Sequence, residues 1–316
     1  MIYLSICIPT YQRIEITRNT IASIYADSDG VDLDEFEVVV SDNDKQESSR
    51  IFEQEFLYKN FRYFQTNCEG FLNSFHVLGY GKGLFLKLHN NYTMLRKGTL
   101  KYLIEQIKLY QDKHPGIFYT NSLLGMSTKL EFGSFDRYMQ KLSYFSSWST
   151  GFGIWKLDYD CLKKSVQINR MFPQTTLFLA GANKNLFVLD DQRLFDDQKI
   201  PKKGGYNPYK VFGVEYLDLL NEKVLSGNIS SSTFKKIRRD LLSKYLATRF
   251  FKTVILRMDS FEYSDIRSYL SKYYGRMGFL KLYFYVWLSP LRMGLNKIFS
   301  KLNWSGFSDR KNRFLN

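Results

Sequence analysis

Short apolar runs that end abruptly at polar side chains are the first pattern in this chain. Residues 84–88 are apolar except for Lys87, and the run stops at His89, Asn90 and Asn91. A run of this length predicts a buried strand. Ligands of open α/β sheets bind just beyond the carboxyl ends of the strands, so these three polar residues mark a candidate site. One alternative stays open, because asparagine also favours turns by bonding to its own main chain.

The first hundred residues alternate between strand and helix patterns. The pattern predicts strands at residues 4–8, 36–40, 61–65 and from 84, and helices at residues 14–25, 48–58 and 71–79. Polar segments follow the first three strands at residues 9–13, 41–44 and 67–70. This alternation predicts a Rossmann-like α/β fold with a mostly parallel sheet flanked by helices, as in nucleotide-binding proteins.

Charge is distributed unevenly along the 316 residues. The net charge is +14, yet residues 1–234 hold 27 Lys and Arg against 26 Asp and Glu, whereas residues 235–316 hold 18 against 5. A balanced region followed by a basic, aromatic one indicates an anionic partner, either a membrane or nucleic acid. Nucleic acid is disfavoured because the sequence has no helix-turn-helix, zinc or RNA-binding motif.

The cysteines and the first residues indicate a cytoplasmic protein. Cys7, Cys68 and Cys161 share no metal-ligand spacing, and their odd number argues against a disulfide framework. The first ten residues lack a basic segment and include Pro9, so we expect a strand there rather than a signal peptide.

Four segments, taken in order, resemble the inverting glycosyltransferases of family 2, which have the GT-A fold. They are residues 4–13, 38–43, 67–70 and 83–95. The nearest subgroup is the bacterial enzymes that assemble O-antigen and capsule repeats. The resemblance implies a nucleotide-sugar-binding catalytic domain at residues 1–215 and says little about residues 216–316. The apolar spacing and the excess of Lys and Arg predict that those residues form a helical, basic, aromatic-rich region. The resemblance also implies transfer of a sugar, with inversion, from a nucleoside-diphosphate donor to a lipid-linked oligosaccharide.

The resemblance also implies where the donor nucleotide binds. A carboxylate at a strand end can accept hydrogen bonds from a base or a ribose, which suits Asp42. Tyr11 can stack on the base and Arg13 can attract phosphate. As an alternative, Asp42 caps the turn or helix that follows it. The predicted nucleotide-binding residues are Pro9, Thr10, Tyr11, Arg13, Asp42, Asn43 and Asn67.

The chain departs from the family at the diphosphate site. The family carries an Asp-x-Asp motif there, which holds a divalent metal, and this chain carries His89, Asn90 and Asn91. These side chains have no formal negative charge, so we expect either no metal or a weakly bound Mg²⁺ or Mn²⁺, with Asn91 as its ligand if any. Lys87 and the loop lysines Lys202 and Lys203 are candidates to offset the diphosphate charge instead. A solvated surface turn is the alternative for that loop.

The acceptor side is predicted at residues 146–156, where Trp148, Gly151 and Trp155 form an aromatic, glycine-containing loop on which a sugar ring can lie. Aromatic packing near a turn is the alternative. Inverting transfer needs a general base, and the comparable segment of this chain, residues 172–177, contains no acid. Asp158 and His89 are candidates, although Asp158 also suits a helix N-cap, and the base stays unassigned.

The basic region favours attachment to a membrane. Residues 278–291 are strongly apolar but include Lys281 and Pro290 and fall short of the ~20 residues of a spanning helix. They predict an interfacial helix of a peripheral protein on the inner face of the plasma membrane. Packing of this helix against the catalytic domain is the alternative.

Two functions follow from the sequence. The first is a glycosyltransferase of hexosyl or deoxyhexosyl type, with an unidentified donor, in surface polysaccharide synthesis. The alternative is a non-catalytic relative that binds nucleotide sugar or glycan and has lost the metal motif. A sugar nucleotidyltransferase is disfavoured because the loop after the first strand is not a glycine-rich phosphate cradle.

Overall fold

A computed structural model of the protein describes residues 1–200 and 204–289. Its strands are β1 (Leu4–Thr10), β2 (Phe36–Asp42), β3 (Phe61–Gln65), β4 (Phe85–Leu88), β5 (Thr93–Leu95), β6 (Gly116–Tyr119), β7 (Lys129–Phe132), β8 (Gly153–Trp155), β9 (Phe187–Asp190) and β10 (Phe195–Asp197). Its helices are α1 (Ile14–Ala26), α2 (Phe52–Glu55), α3 (Asn73–Tyr80), α4 (Thr99–Tyr110), α5 (Phe135–Leu142), α6 (Lys156–Leu162), α7 (Pro173–Ala180), α8 (Pro208–Lys210), α9 (Leu217–Leu225), α10 (Ser231–Asp240), α11 (Ala247–Phe250), α12 (Ile266–Tyr274) and α13 (Gly278–Trp287). Short 3₁₀ turns lie at Gly70–Leu72, Ser143–Ser147 and Gly181–Asn183, and π-helical segments at Val211–Tyr216, Leu241–Leu246 and Phe251–Ile255.

The main sheet has the strand order β3-β2-β1-β4-β8. The first four strands are parallel, and β8 runs antiparallel to β4. Every residue of β2 is buried, as expected for a strand covered on both faces. Thr10 is in register with Asp42, so β1 and β2 end level with each other. The predicted α/β fold, with a mostly parallel sheet flanked by helices, is confirmed.

Two smaller sheets complete this part of the molecule. One has the order β6-β9-β7, with β6 parallel and β7 antiparallel to β9. The other is an antiparallel pair of β5 and β10, in which Thr93 is in register with Asp197. This pairing brings residues 195–197 beside the segment that follows His89, Asn90 and Asn91.

The core beneath the main sheet is formed by β1, β2, α1 and α4. The buried residues of α4 recur at helical spacing, and each leucine or isoleucine buried in this way contributes roughly 1.5–3 kcal/mol. The α1 and α4 residues in the core are Ile21, Ile24, Tyr25, Leu100, Leu103, Ile104, Ile107 and Tyr110. This packing holds β1 and β2 in place, and their carboxyl ends lie at one edge of the sheet.

Two of the predicted helices begin later than expected. The helix predicted at residues 48–58 is wrong in extent, since only Phe52–Glu55 are helical. Carboxylates hold the preceding residues in turns: Asp42 accepts the Ser49 amide at 3.0 Å, and Asp44 accepts the Ser48 hydroxyl at 2.7 Å. The helix predicted at residues 71–79 begins at Asn73, because a 3₁₀ turn precedes it.

The described residues divide into two compact units. One comprises residues 1–200 with 218–237, and the other comprises residues 204–217 with 238–289. The second unit is helical, and its chain is held together by bonds such as Arg238 to the Tyr273 carbonyl at 2.6 Å and Arg249 to Asp259 at 3.1 Å. The predicted domains, residues 1–215 and 216–316, remain a prediction. Within the two described ranges, the helices are too short or too polar to cross a bilayer.

Candidate functional site

The carboxyl ends of β1, β2 and β4 meet at one edge of the main sheet. The loops that follow them hold most of the predicted site residues, and hydrogen bonds join these loops. The Asn91 side-chain amide donates to the Thr10 hydroxyl at 3.1 Å, and the Asn43 main-chain amide donates to the Thr10 carbonyl at 3.3 Å. The predicted donor-binding and diphosphate segments therefore belong to one connected cluster.

Asn73 holds this cluster together, and the sequence reading missed it. It is 3% exposed at the start of α3. Its amide nitrogen donates to the Ser41 carbonyl at 2.8 Å and the Thr10 carbonyl at 3.3 Å, and its Oδ1 accepts the Ser41 hydroxyl at 2.6 Å. The signal available in the sequence was a polar residue near the start of the predicted helix, three positions after Gly70.

Asp42 is fully buried at the end of β2. Its carboxylate accepts the main-chain amides of Asp44 at 2.9 Å and Ser49 at 3.0 Å, and the Tyr63 hydroxyl at 3.4 Å. These are the bonds of the capping alternative, so Asp42 shapes the loop at residues 43–49. Its direct contact with a nucleotide stays a prediction, and such contact requires these bonds to be exchanged.

The residues after β1 are accessible. Tyr11 is 53% exposed, and Arg13 is exposed immediately before α1. Gln12 adopts a left-handed backbone with φ of 55° and donates to Asp44 at 3.4 Å. Asn67 is exposed, whereas Pro9 is half-buried within β1. Tyr11 and Arg13 thus offer a ring and a cation at the edge of the sheet where β1 ends.

His89 is a neutral, buried residue. It is 1% exposed, and its Nε2 donates to the Thr93 carbonyl at 2.7 Å, which fixes the tautomer. Burial, with a smaller contribution from the Lys87 charge, lowers the pKa of His89 to about 3. An imidazole this weakly basic is a poor general base near neutral pH, so this prediction loses its physical basis.

Asn90 and Asn91 have different environments. Asn91 is 7% exposed, and its amide donates to the hydroxyls of Thr10 and Thr17 at 3.1 and 3.2 Å. Asn90 is half-exposed and accepts the Ser149 hydroxyl at 2.7 Å. Asn90 therefore connects the residues after β4 to the predicted acceptor loop.

Lys87 is buried within β4 at 2% exposure. Its ammonium group donates to the main-chain carbonyls of Leu88, at 3.1 Å, and Thr150, and lies 5.0 Å from the centre of the Tyr119 ring. Burial lowers the pKa of Lys87 from its ordinary 10.5 to about 7. Lys87 thus binds the acceptor loop rather than facing solvent. Lys202 and Lys203 lie outside the described residues.

The acceptor loop splits between surface and core. Trp148 is half-buried, with its ring centre 5.6 Å from that of Phe195. Gly151 is buried, and a Cβ there would lie 2.2 Å from the Phe118 ring. Trp155 is 1% exposed and donates to the Pro115 carbonyl at 2.8 Å, so in this conformation it packs as the aromatic alternative predicted. Trp148 is the tryptophan of this loop that remains a candidate for sugar contact.

Asp158 lies away from the candidate site. Trp155 of the antiparallel strand β8 is in register with Phe85, the first residue of β4, so α6 follows at the edge opposite to His89. Asp158 lies in the first turn of α6, where it pairs with Lys184 at 2.6 Å and lines an apolar cavity of about 300 Å³. This geometry argues against Asp158 as the general base. The alternative role of Asp158 as a helix N-cap is wrong, because Trp155 takes that position.

Acidic residues that the sequence reading passed over lie after Phe187. Asp190 is buried against the Tyr102 hydroxyl at 2.6 Å, and burial raises its pKa. Asp191 accepts the Thr120 hydroxyl at 2.6 Å and the Met126 amide at 2.7 Å. Asp197 is exposed and accepts the Thr93 hydroxyl at 3.0 Å. Asp197 is therefore a carboxylate joined directly to the segment after β4.

The residues at positions 89–91 do not fit a divalent metal site. They lack the carboxylates that Mg²⁺ and Mn²⁺ favour, and the Nε2–H of His89 is directed at a carbonyl. Residues 1–200 and 204–289 contain no group of three or more His, Cys, Asp or Glu that could hold a metal ion. At the start of α7, in the segment that the resemblance compares with an acidic pair, Gln174 donates to the Ser147 carbonyl at 3.0 Å.

Comparison with protein-family models and with curated proteins found no match. Solved structures do match. The structure of S. aureus TarS 1-349 in complex with UDP-GlcNAc is 16% identical, with a TM-score of 0.57 over 81% of this chain and 77% of that chain. A longer S. aureus TarS structure is 12% identical, with a TM-score of 0.54 over 90% of this chain. This chain spans 54% of that longer chain.

A third match is the mannosyltransferase PcManGT from Pyrobaculum calidifontis in complex with GDP-Man and Mn²⁺. It is 11% identical, with a TM-score of 0.50 over 92% of this chain and 86% of that chain. At these identities the matches bear on the fold, and they confirm that it is GT-A-like.

Proposed function

We infer that this protein transfers a sugar, with inversion, from a nucleoside-diphosphate donor to a lipid-linked oligosaccharide in bacterial O-antigen or capsule synthesis. The observation that carries this proposal is the cluster at the carboxyl edge of the main sheet. There the loops after β1, β2 and β4 are joined through Thr10, Asn43, Asn73 and Asn91 on a GT-A-like fold. Two solved structures with this fold contain UDP-GlcNAc and GDP-Man, which supports a nucleotide-sugar donor.

The donor nucleotide occupies this edge in the proposal. Tyr11 stacks on the base, and the exposed Asn67 offers its amide to base or ribose. The Asn43 amide instead donates to the Cys68 and Gly70 carbonyls at 3.2 and 3.3 Å, so a direct contact between Asn43 and the nucleotide requires these bonds to be exchanged. Arg13 attracts the diphosphate, and α1 begins directly after it without a side-chain cap, so its first amides face the same charge. Asp42 positions the loop at residues 43–49 for this contact.

The donor diphosphate is bound in this proposal without a required metal. His89 is neutral, and the nitrogen of the Asn91 amide is directed at two threonine hydroxyls, so neither replaces an Asp-x-Asp carboxylate. Arg13 therefore supplies the positive charge, together with Lys202 or Lys203, which lie outside the described residues.

The acceptor sugar lies against Trp148 in this proposal, and Asp197 takes the proton from its attacking hydroxyl. Phe195 supports the assignment, because its ring centre lies 5.6 Å from that of Trp148 and 6.1 Å from that of His89. Asp197 follows two residues later and is exposed. Because the proposed acceptor is lipid-linked, the protein acts as a peripheral protein on the inner face of the plasma membrane in this proposal.

A second candidate function is binding of nucleotide sugar or glycan without catalysis. Two observations favour it: the Asp42 carboxylate is occupied by its own loop, and positions 89–91 lack carboxylates. This candidate predicts donor binding with no turnover.

The test is release of nucleoside diphosphate from a panel of nucleotide sugars, with membrane lipid extract as acceptor, with and without EDTA. We expect release with one donor, unaffected by EDTA. Arg13→Gln should weaken donor affinity at least tenfold, and Arg137→Gln, a matched exposed arginine on α5, should leave it unchanged. Tight donor binding without release supports the non-catalytic candidate, and absence of binding to every donor overturns both.

A further inference from the structure

Helix α13 presents an apolar stripe to solvent. Its residues recur at intervals of three and four, so they share one face of the helix. They are Met277, which precedes the helix, at 56% exposed, Leu280 at 58%, Tyr283 at 43%, Phe284 at 64% and Trp287 at 77%. Soluble surfaces carry single exposed hydrophobic residues, whereas a contiguous stripe of large ones marks a contact surface.

The opposite face of α13 is committed to packing. Leu282 and Val286 are buried, and Gly278 approaches α12 so closely that a Cβ would lie 2.8 Å from Cβ of Tyr274. This packing sets the orientation of α13, so that the stripe faces solvent. It also prevents the helix from burying its whole circumference in a bilayer.

The charges around the stripe suit an anionic partner. From Ile266 to Ser289 the chain contains Arg267, Lys272, Arg276 and Lys281, and no Asp or Glu. Lys281 is exposed and adjoins Leu280 at the border of the stripe, and Arg276 is exposed just before the helix. Exposed aromatic side chains bordered by cations, with no acid nearby, are the pattern of a helix that lies in the headgroup region of an anionic membrane.

We propose that the α13 stripe, Met277, Leu280, Tyr283, Phe284 and Trp287, inserts shallowly into an anionic lipid surface, with Lys281 and Arg276 at headgroup depth. This proposal deepens the proposed function, which places the protein at a membrane, by assigning the contact to one face of one helix. The assay below contains no nucleotide sugar, so its failure and the failure of sugar transfer are separate results.

The test uses the full chain with phosphatidylcholine vesicles that contain or lack phosphatidylglycerol. We expect co-sedimentation with the anionic vesicles only, weakening with salt. The double variant Phe284→Glu with Trp287→Glu should bind at least tenfold more weakly. Leu225→Glu, 80% exposed on α9, is the matched control and should bind as the unsubstituted chain does.

Lys281→Glu tests the contribution of charge. Each cation near such a surface contributes about 1 kcal/mol, and this substitution both removes a positive charge and adds a negative one, so it should weaken binding about thirtyfold. Lys164→Glu, an exposed lysine elsewhere, should have less than a threefold effect.

Trp287 reports insertion directly. In a background that carries Trp148→Phe and Trp304→Phe, which leaves the buried Trp155 as the other tryptophan, we expect brominated lipids to quench the fluorescence of Trp287, and acrylamide to quench it when lipid is absent. Equal binding of the double variant and the unsubstituted chain overturns the proposal, and so does a Trp287 that brominated lipids do not quench. The proposal is also overturned if acrylamide does not quench Trp287 in the absence of lipid, because the stripe is then already covered by protein. If dilution restores the quenching, a second copy of the chain covers the stripe. If dilution does not restore it, residues 290–316 cover the stripe. Unchanged circular dichroism of each variant excludes misfolding.

Discussion

Replacing Lys87 by methionine should change how the stability of the protein depends on pH. Lys87 is 2% exposed, and its ammonium group is bonded to the carbonyls of Leu88 and Thr150. Methionine has a similar length but no charge, so it removes the titration. It also leaves two carbonyls without this donor, which costs ~1–3 kcal/mol each at every pH.

The sign of the pH effect follows from the pKa of Lys87, which burial lowers from 10.5 to about 7 in the folded protein. Between these values the unfolded chain binds more protons than the folded one, so the free energy of unfolding rises with pH. Well inside this window each pH unit contributes about 1.4 kcal/mol, and because Lys87 is already half deprotonated in the folded protein at pH 7, the rise from pH 7 to pH 9 is about 2 kcal/mol. Below about pH 7 Lys87 is protonated in both the folded and the unfolded chain. The free energy of unfolding is then lowered by the full cost of burying the Lys87 charge.

Urea unfolding of the unsubstituted protein and of Lys87→Met across this pH range measures the effect. We expect the free energy of unfolding of the unsubstituted protein to rise by about 2–3 kcal/mol more than that of the variant. Lys164→Met, which changes an exposed lysine, should keep the full rise. Equal slopes for the unsubstituted protein and Lys87→Met would refute the argument, because Lys87 would then be solvated in the folded state.

Three further substitutions test the site. Asn73→Ala should lower the free energy of unfolding by about 2–4 kcal/mol in urea titrations, because it removes the buried hydrogen bonds of Asn73 with the Thr10 carbonyl, the Ser41 carbonyl and the Ser41 hydroxyl; a loss below ~0.5 kcal/mol would contradict this. Gly151→Ala should cost about 1–3 kcal/mol by the same measurement, since its Cβ meets a buried ring and a carbonyl. Gly181→Ala is its control, because that Cβ meets nothing nearer than 3.9 Å. Trp148→Ala should raise the KM for acceptor at least tenfold and leave donor affinity unchanged in calorimetric titration; reduced donor affinity would argue against an acceptor role.

Sequence reasoning predicted the parallel sheet well, because buried parallel strands read as continuous apolar runs separated by polar breaks. The runs at residues 36–40 and 84–88 match β2 and β4 closely for this reason. It was less successful with α2. The segment at residues 48–58 has helical propensity, but two carboxylates that precede it capture the local amide and hydroxyl donors.

The candidate site was predicted in location but not in the roles of its side chains. Residue order indicated that Asp42 and Asn91 lie at strand ends, and both do. Whether Asp42 faces a ligand or its own loop depends on the fold of residues 43–49, which periodicity does not encode. Trp155 and Lys87 are buried because β8 pairs with β4, a contact between residues far apart in sequence.

Hydrogen exchange with and without bound nucleoside diphosphate tests the central claim most directly. The claim is that the donor binds at the carboxyl edge of the main sheet. We predict slower exchange of amides at residues 10–16, 42–49 and 89–92 when UDP or GDP is added, with no change in the loop at residues 120–128 that Asp191 organises. Protection confined to residues outside these three segments would contradict the account, as would the absence of protection at saturating nucleotide.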